Sequence, residues 1–81
     1  MKGNTIAINP SKGFVAIETD HGITVFELLG GYDVDKGDVF SGNLESLGGE
    51  TFFNESKQEK MDVFVQGIHC SVEHARQMLF D

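Results

Sequence analysis

The chain reads as an all-β fold: five or six antiparallel strands closing into a small barrel, with a short α-helix at the C-terminal end. Three observations predict it. Short stretches alternate apolar and polar side chains at the two-residue period of a strand. Ten glycines against a single proline interrupt those stretches at close intervals, as tight turns do. Only the last ten residues change to the three-and-four spacing of an amphipathic helix.

The elements follow in order. In "NTIAIN", residues 4–9, Ile6 and Ile8 share one face while Thr5 and Ala7 point the other way. "PSKG" is a turn. "FVAIET" is a second strand, with Val15 and Ile17 opposed to Phe14 and Ala16. "DHG" reverses the chain into "ITVFELL", so the first three strands form a meander. "GGYDVDKGD" is a longer loop. "VFSGNLESL" starts as a fourth strand, with Gly42 marking a bend. "GGETFFN" has the composition of a short strand, but residues 45–60 fit a strand or a loop. "ESKQEK" is a polar loop. "MDVFVQGI" is apolar on both faces, Met61, Val63 and Val65 against Phe64, Gln66 and Ile68, which suits a central position in a closed sheet. Ser71 is a helix N-cap, and Val72, Ala75 and Leu79 form a stripe with Met78 beside it. So short a helix needs a surface to dock on. At 81 residues the chain is one domain, barrel at 1–68 and helix at 71–80.

Composition narrows the function. One cysteine, Cys70, allows no internal disulfide and fits a reducing compartment. The N-terminus has no signal-peptide pattern and no stretch approaches a membrane span, so the expected location is cytoplasmic, with no membrane partner. The net charge is −7. Residues 1–17 carry Lys2 and Lys12 and no acid, whereas residues 18–56 carry nine acids against Lys36 alone. An acidic middle repels phosphate.

The opening resembles a cold-shock domain, a barrel of the OB type. That family begins with a pattern like G-K-V-K-W-F-N, a two-residue turn, and K-G-F-G-F-I. Here the run is Gly3-Asn4-Thr5-Ile6-Ala7-Ile8-Asn9, Pro10-Ser11, Lys12-Gly13-Phe14-Val15-Ala16-Ile17, without a gap. "DKGDV" at 35–39 is similar to the family's turn into its fourth strand. The resemblance covers roughly half the chain and fades after residue 45, and the family has no such C-terminal helix. It implies a single-strand-binding face built from outward aromatics on the first three strands, each stacked base contributing about 1–3 kcal/mol. Ala7 stands at the family's tryptophan position and Ala16 at its second phenylalanine. The third-strand pattern V-F-V-H-F can be laid on Val25 to Leu29, keeping Phe26 outward, or on Thr24 to Leu28, burying Phe26 and turning Glu27 outward. The second is preferred, because an unpaired buried carboxylate is costly. The losses amount to about 3–6 kcal/mol of affinity. With both alanines outward, Ala7→Trp and Ala16→Phe would rebuild part of the platform. Lys2, Lys12, Phe14 and Phe26 are the remaining candidates for nucleic-acid contact.

Other sites are thin. His69, Cys70 and His74 cluster near the helix start, but a metal site would need His21 or Asp62 from elsewhere, so neither a metal nor a cofactor is expected. Asp33/Asp35 and Glu18/Asp20 sit at turns, where solvated carboxylates are the rule. No base and orienter converge on a nucleophile, so no catalytic residue is assigned. Tyr32, Phe40, Phe52 and Phe53 could form a partner-binding patch. The expected role is a non-catalytic binding or regulatory module acting through a protein partner, with weak single-stranded RNA or DNA binding as the alternative.

Overall fold

The computed structural model describes residues 1–81 and contains six strands and one helix: β1 (Lys2–Asn9), β2 (Phe14–Thr19), β3 (Gly22–Leu28), β4 (Val39–Ser41), β5 (Gly48–Asn54), β6 (Glu59–Cys70) and α1 (Val72–Phe80). The strands form a closed antiparallel barrel in the order β1-β2-β3-β6-β5-β4, with β4 returning to pair with β1. Closure removes the open strand edges.

The alternation seen in sequence is the reason for the barrel. Val15, Ile17, Phe26, Phe40, Phe52, Met61, Val63 and Val65 point inward and are fully buried. Phe26 packs edge-to-face against both Phe40 and Phe52, at centroid distances of 5.2 and 5.1 Å. Leu44 joins this core from the loop between β4 and β5, while Thr24 Oγ1 donates to the Leu44 carbonyl.

Several boundaries differ from the sequence reading. The fourth strand is only Val39–Ser41 and stops at the bend the sequence places at Gly42. Gly42 has φ of +132°, a conformation open to glycine and strained for other residues, and it turns the chain out of the sheet. Residues 48–54 are a strand, and β6 begins inside the expected polar loop and continues to Cys70. Two faces also change. The register of β1 on β2 slips between Thr5 and Ala7. That bulge sends Ile6 outward with Ala7 and turns Thr5 and Ile8 inward. The irregular pairing of β6 with β3 near Gly67 brings Ile68 against the interior core.

A polar knot locks the β1–β4 seam. Thr5 donates its backbone N–H and its hydroxyl to the Asp38 carbonyl, at 2.8 and 2.9 Å. The buried Asp38 carboxylate accepts from Asn54 Nδ2 (2.9 Å), Lys57 Nζ (2.8 Å) and the Asp35 N–H (3.0 Å). Lys57 also reaches Asp35 at 2.8 Å. Burial alone would push the Asp38 carboxyl up. Its hydrogen bonds from Lys57, Asn54 and the Asp35 N–H outweigh that and hold it below its ordinary value.

The sign of the resulting pH dependence follows. A carboxyl held low in the folded state adds stability above the ordinary carboxylate range, and that contribution fades as pH falls through the folded value. Asp38→Ala should cost about 1–3 kcal/mol at neutral pH, because buried donors lose their acceptor. Urea unfolding from pH 7 down to below about 4 checks this. Asp38→Asn should show a shallower acid loss than wild type, and identical slopes would show that the knot does not carry the dependence.

Candidate functional site

Strands β2 and β3 are apolar on both faces, and their outer face is covered by α1. Ser71 caps the helix by accepting from the His74 N–H at 3.1 Å. Ala75 and Leu79 are buried against Ala16, Ile23, Val25 and Cys70, with Ile6, Ala7, Phe14 and Met78 packed around them. Val72, expected on this stripe, faces solvent instead. Asn9 Nδ2 donates to the Leu79 carbonyl and ties the last turn of α1 to the end of β1. Gly67 completes the seat. A Cβ there would lie 3.0 Å from Cys70 Sγ and 3.1 Å from Met78 Cε, so the helix rests directly on the β6 backbone.

Both alanines lie on the outer face of the barrel as expected, but α1 covers that face, so it is not open to a base. Ala16 is 1% exposed and lies beneath α1, and Ala7 packs at the margin of the same contact. A phenylalanine at position 16 would drive into the helix, an overpacking that costs about 1–3 kcal/mol, and would not offer a ring to a base. Phe26 is 0% exposed inside the barrel, so it is no surface platform either, while Glu27 points outward opposite Phe64. Phe14 is half-buried at the helix contact with the Lys12 ammonium 5.9 Å from its ring centroid. Lys2 is paired with Glu55 at 3.0 Å.

The four aromatics read as a partner patch do not share a surface. Phe40 and Phe52 are in the core. Tyr32 packs over the barrel end, its hydroxyl accepting from the Asp62 N–H at 3.1 Å. Phe53 is half-buried, level with Ser41 on β4 and Lys60 on β6. The exposed aromatic of the sheet is Phe64, 44% accessible at the middle of β6. The alternation of Met61, Val63 and Val65 already turns Phe64 outward. What sequence could not supply was its neighbours, because they depend on the register of β5.

The histidines and Cys70 are the remaining candidates for chemistry. His21 Nδ1 and His69 Nε2 both contact one oxygen of Glu45, at 2.9 and 2.7 Å. The His69 contact first, and the His21 contact with it, hold the Glu45 carboxyl below its ordinary value despite partial desolvation. This trio straps the loop carrying Leu44 to the β2–β3 turn and to the end of β6. His74 lies elsewhere, on the first turn of α1, and no three side chains of metal-binding type are placed to hold an ion together. Cys70 is buried under α1, and burial pushes its thiol up, away from the thiolate form that reacts.

Comparison with protein-family models, with curated proteins and with solved structures finds no match to this chain.

Cys70 reports on the seating of α1. A thiol-specific disulfide reagent should label it slowly in the native chain and at the free-thiol rate in denaturant. Leu79→Ala should destabilise by about 2–5 kcal/mol and accelerate native labelling. Fast labelling of the wild type, or no stability loss in the variant, would mean that α1 does not hold the face shut.

Proposed function

We propose that this chain is a non-catalytic binding module, built on a cold-shock-like barrel of the OB type, and that it acts through a protein partner. One observation carries the reading: α1 occupies the outer face of β1–β3, the face on which the resemblance would place stacked bases. Apart from Phe14 at the margin, the sheet residues under the helix are small or aliphatic, Ala7, Ala16, Ile23 and Val25, where single-strand binding calls for rings. The space has been given to an intramolecular contact. The closed antiparallel barrel and the gapless run from Gly3 to Ile17 support the scaffold assignment. The ionisable clusters support a non-catalytic role, since the Asp38–Lys57 and Glu45–histidine groups each tie loops to strands.

A second reading has one specific observation behind it. Lys12 over Phe14 is a cation beside a partly open ring, a combination able to hold one base and its phosphate weakly. Repulsion from a chain of net charge −7 opposes it.

Titration with a short pyrimidine-rich single strand at low salt, where phosphate attraction is greatest, separates the two. The protein-partner reading expects no saturable binding at concentrations of about 1 µM, or about −8.2 kcal/mol. Saturation there, lost in Lys12→Ala and Phe14→Ala, would favour the nucleic-acid reading.

A further inference from the structure

With α1 on the β1–β3 face, the outer surface next to it, at the Glu27 end of β3 and across β6 and β5, stays open and carries exposed apolar groups among polar ones. Phe64 stands at its centre, 44% exposed. Its cross-strand neighbours are Glu27 on β3 and Gly49 on β5. Gly49 brings no side chain, and a Cβ built there would touch nothing within 4 Å. A trough therefore runs beside the Phe64 ring. One strand position further, Thr51 stands opposite Asp62 and donates to its carboxylate at 3.0 Å. Leu29, 56% exposed, is fixed over the same region by its N–H bond to the Asp62 carbonyl (3.0 Å). Leu29, Gly49, Glu50, Thr51, Asp62 and Val63 line a single surface cleft.

The cleft is lined by Glu50 and Asp62 with no lysine or arginine, and Glu27 stands across from Phe64; Lys60 is the basic residue on the same outer face of β6, beyond Asp62. The occupants differ sharply in how they meet that charge. Phosphate, whether of a nucleic acid or a lipid headgroup, is repelled. A second copy of this chain would bring its own −7 and set like charges against each other. A basic polypeptide segment meets the acids with charges of the opposite sign. Its apolar side chain fills the trough that Gly49 leaves beside Phe64.

We propose that the outer face of β3, β6 and β5, centred on Phe64, is a docking surface for a basic protein segment carrying one apolar anchor residue. This rests on the protein-partner reading and adds its location and the chemistry of the partner. The anchor packs between Phe64 and Leu29. Lysines or arginines flanking it pair with Glu27, Glu50 and Asp62. Such an interface takes its strength from the anchored ring and its rate of encounter from the acidic rim.

The test uses the full chain as bait against a library of random 16-residue peptides. Selected peptides are expected to be enriched in Lys and Arg around a Leu, Ile, Met or Phe. Amide shift changes on adding a selected peptide should centre on residues 27, 49–51 and 62–64. Phe64→Ser should weaken binding by about tenfold or more. Glu27→Lys should weaken it less and flatten its dependence on salt. Both positions are on the barrel's outer surface, and a native circular dichroism spectrum and melting curve for each variant establish that the fold is retained. Selected peptides without basic enrichment, peptides indifferent to Phe64→Ser, or no selected peptide at all would each overturn the proposal. Concentration-dependent dimerisation of the wild type abolished by Phe64→Ser would overturn it in favour of a second copy. Tight oligonucleotide binding in the preceding titration would instead remove the protein-partner reading on which it stands, so the two failures are told apart.

Discussion

Strands β2 and β3 carry apolar side chains on both faces, and a sheet that is apolar on both faces needs two covers. The rest of the structure answers that constraint. Closing the barrel buries one face, with Val15, Ile17 and Phe26 in its interior. The other face, Ala16, Ile23 and Val25, would remain as exposed hydrophobic surface if the chain stopped at the end of β6. The nine-residue α1 is too short to persist in water by itself and gains its stability from that same surface. Helix and sheet face thus depend on one another, and the side chains at their contact are sized for it. Two alanines and a glycine let the helix approach the backbone closely.

Closure of the barrel is reinforced by polar geometry where the apolar contacts are fewest. β4 is three residues long and cannot hold β1 by its ladder alone. The loop leading into it supplies the deficit through the backbone and carboxylate of Asp38. Thr5, Asn54 and Lys57 converge there from three separate segments. A buried carboxylate is tolerable only when its bonds are made, and here each donor also closes a loop. The Glu45–His21–His69 contact plays the equivalent part at the end of the barrel where α1 begins.

What was legible in the sequence follows from which interactions are local. The strands of the meander, the N-cap at Ser71 and the inward face of β6 from Met61 to Val65 were readable, because side-chain period and capping chemistry are written in consecutive residues. The choice that buries Phe26 and exposes Glu27 was reachable by the cost of an unpaired carboxylate. The bulge at Ile6 was not, since a register slip is decided by the partner strand. Phe40 and Phe52 looked available for a partner because their burial depends on barrel closure, a long-range event. Ala7 and Ala16 were the most misleading. They looked like deletions from a binding face, when their small size is what admits a helix from the far end of the chain. The paired stripe of Ala75 and Leu79 carried that information, but nothing local said which face it would meet.

The position of α1 also decides which outward side chains remain open. On a closed barrel with no free edge, a partner has only outward side chains to grip. With α1 on the β1–β3 side, Phe64 is left as the exposed aromatic of the sheet, with Glu27 across from it and Asp62 and Lys60 further along β6. The side chains that seat the helix are mostly small or aliphatic, and on the other side the exposed ring of Phe64 stands across from Glu27. A ring at position 16 would compete with Leu79 and Ala75 for the same volume. Binding at the β1–β3 face would require α1 to leave, exposing Ile23, Val25 and Leu79 to water at roughly 1.5–3 kcal/mol for each large side chain. At that cost the β1–β3 face stays covered in the folded chain, while the face around Phe64 stays open.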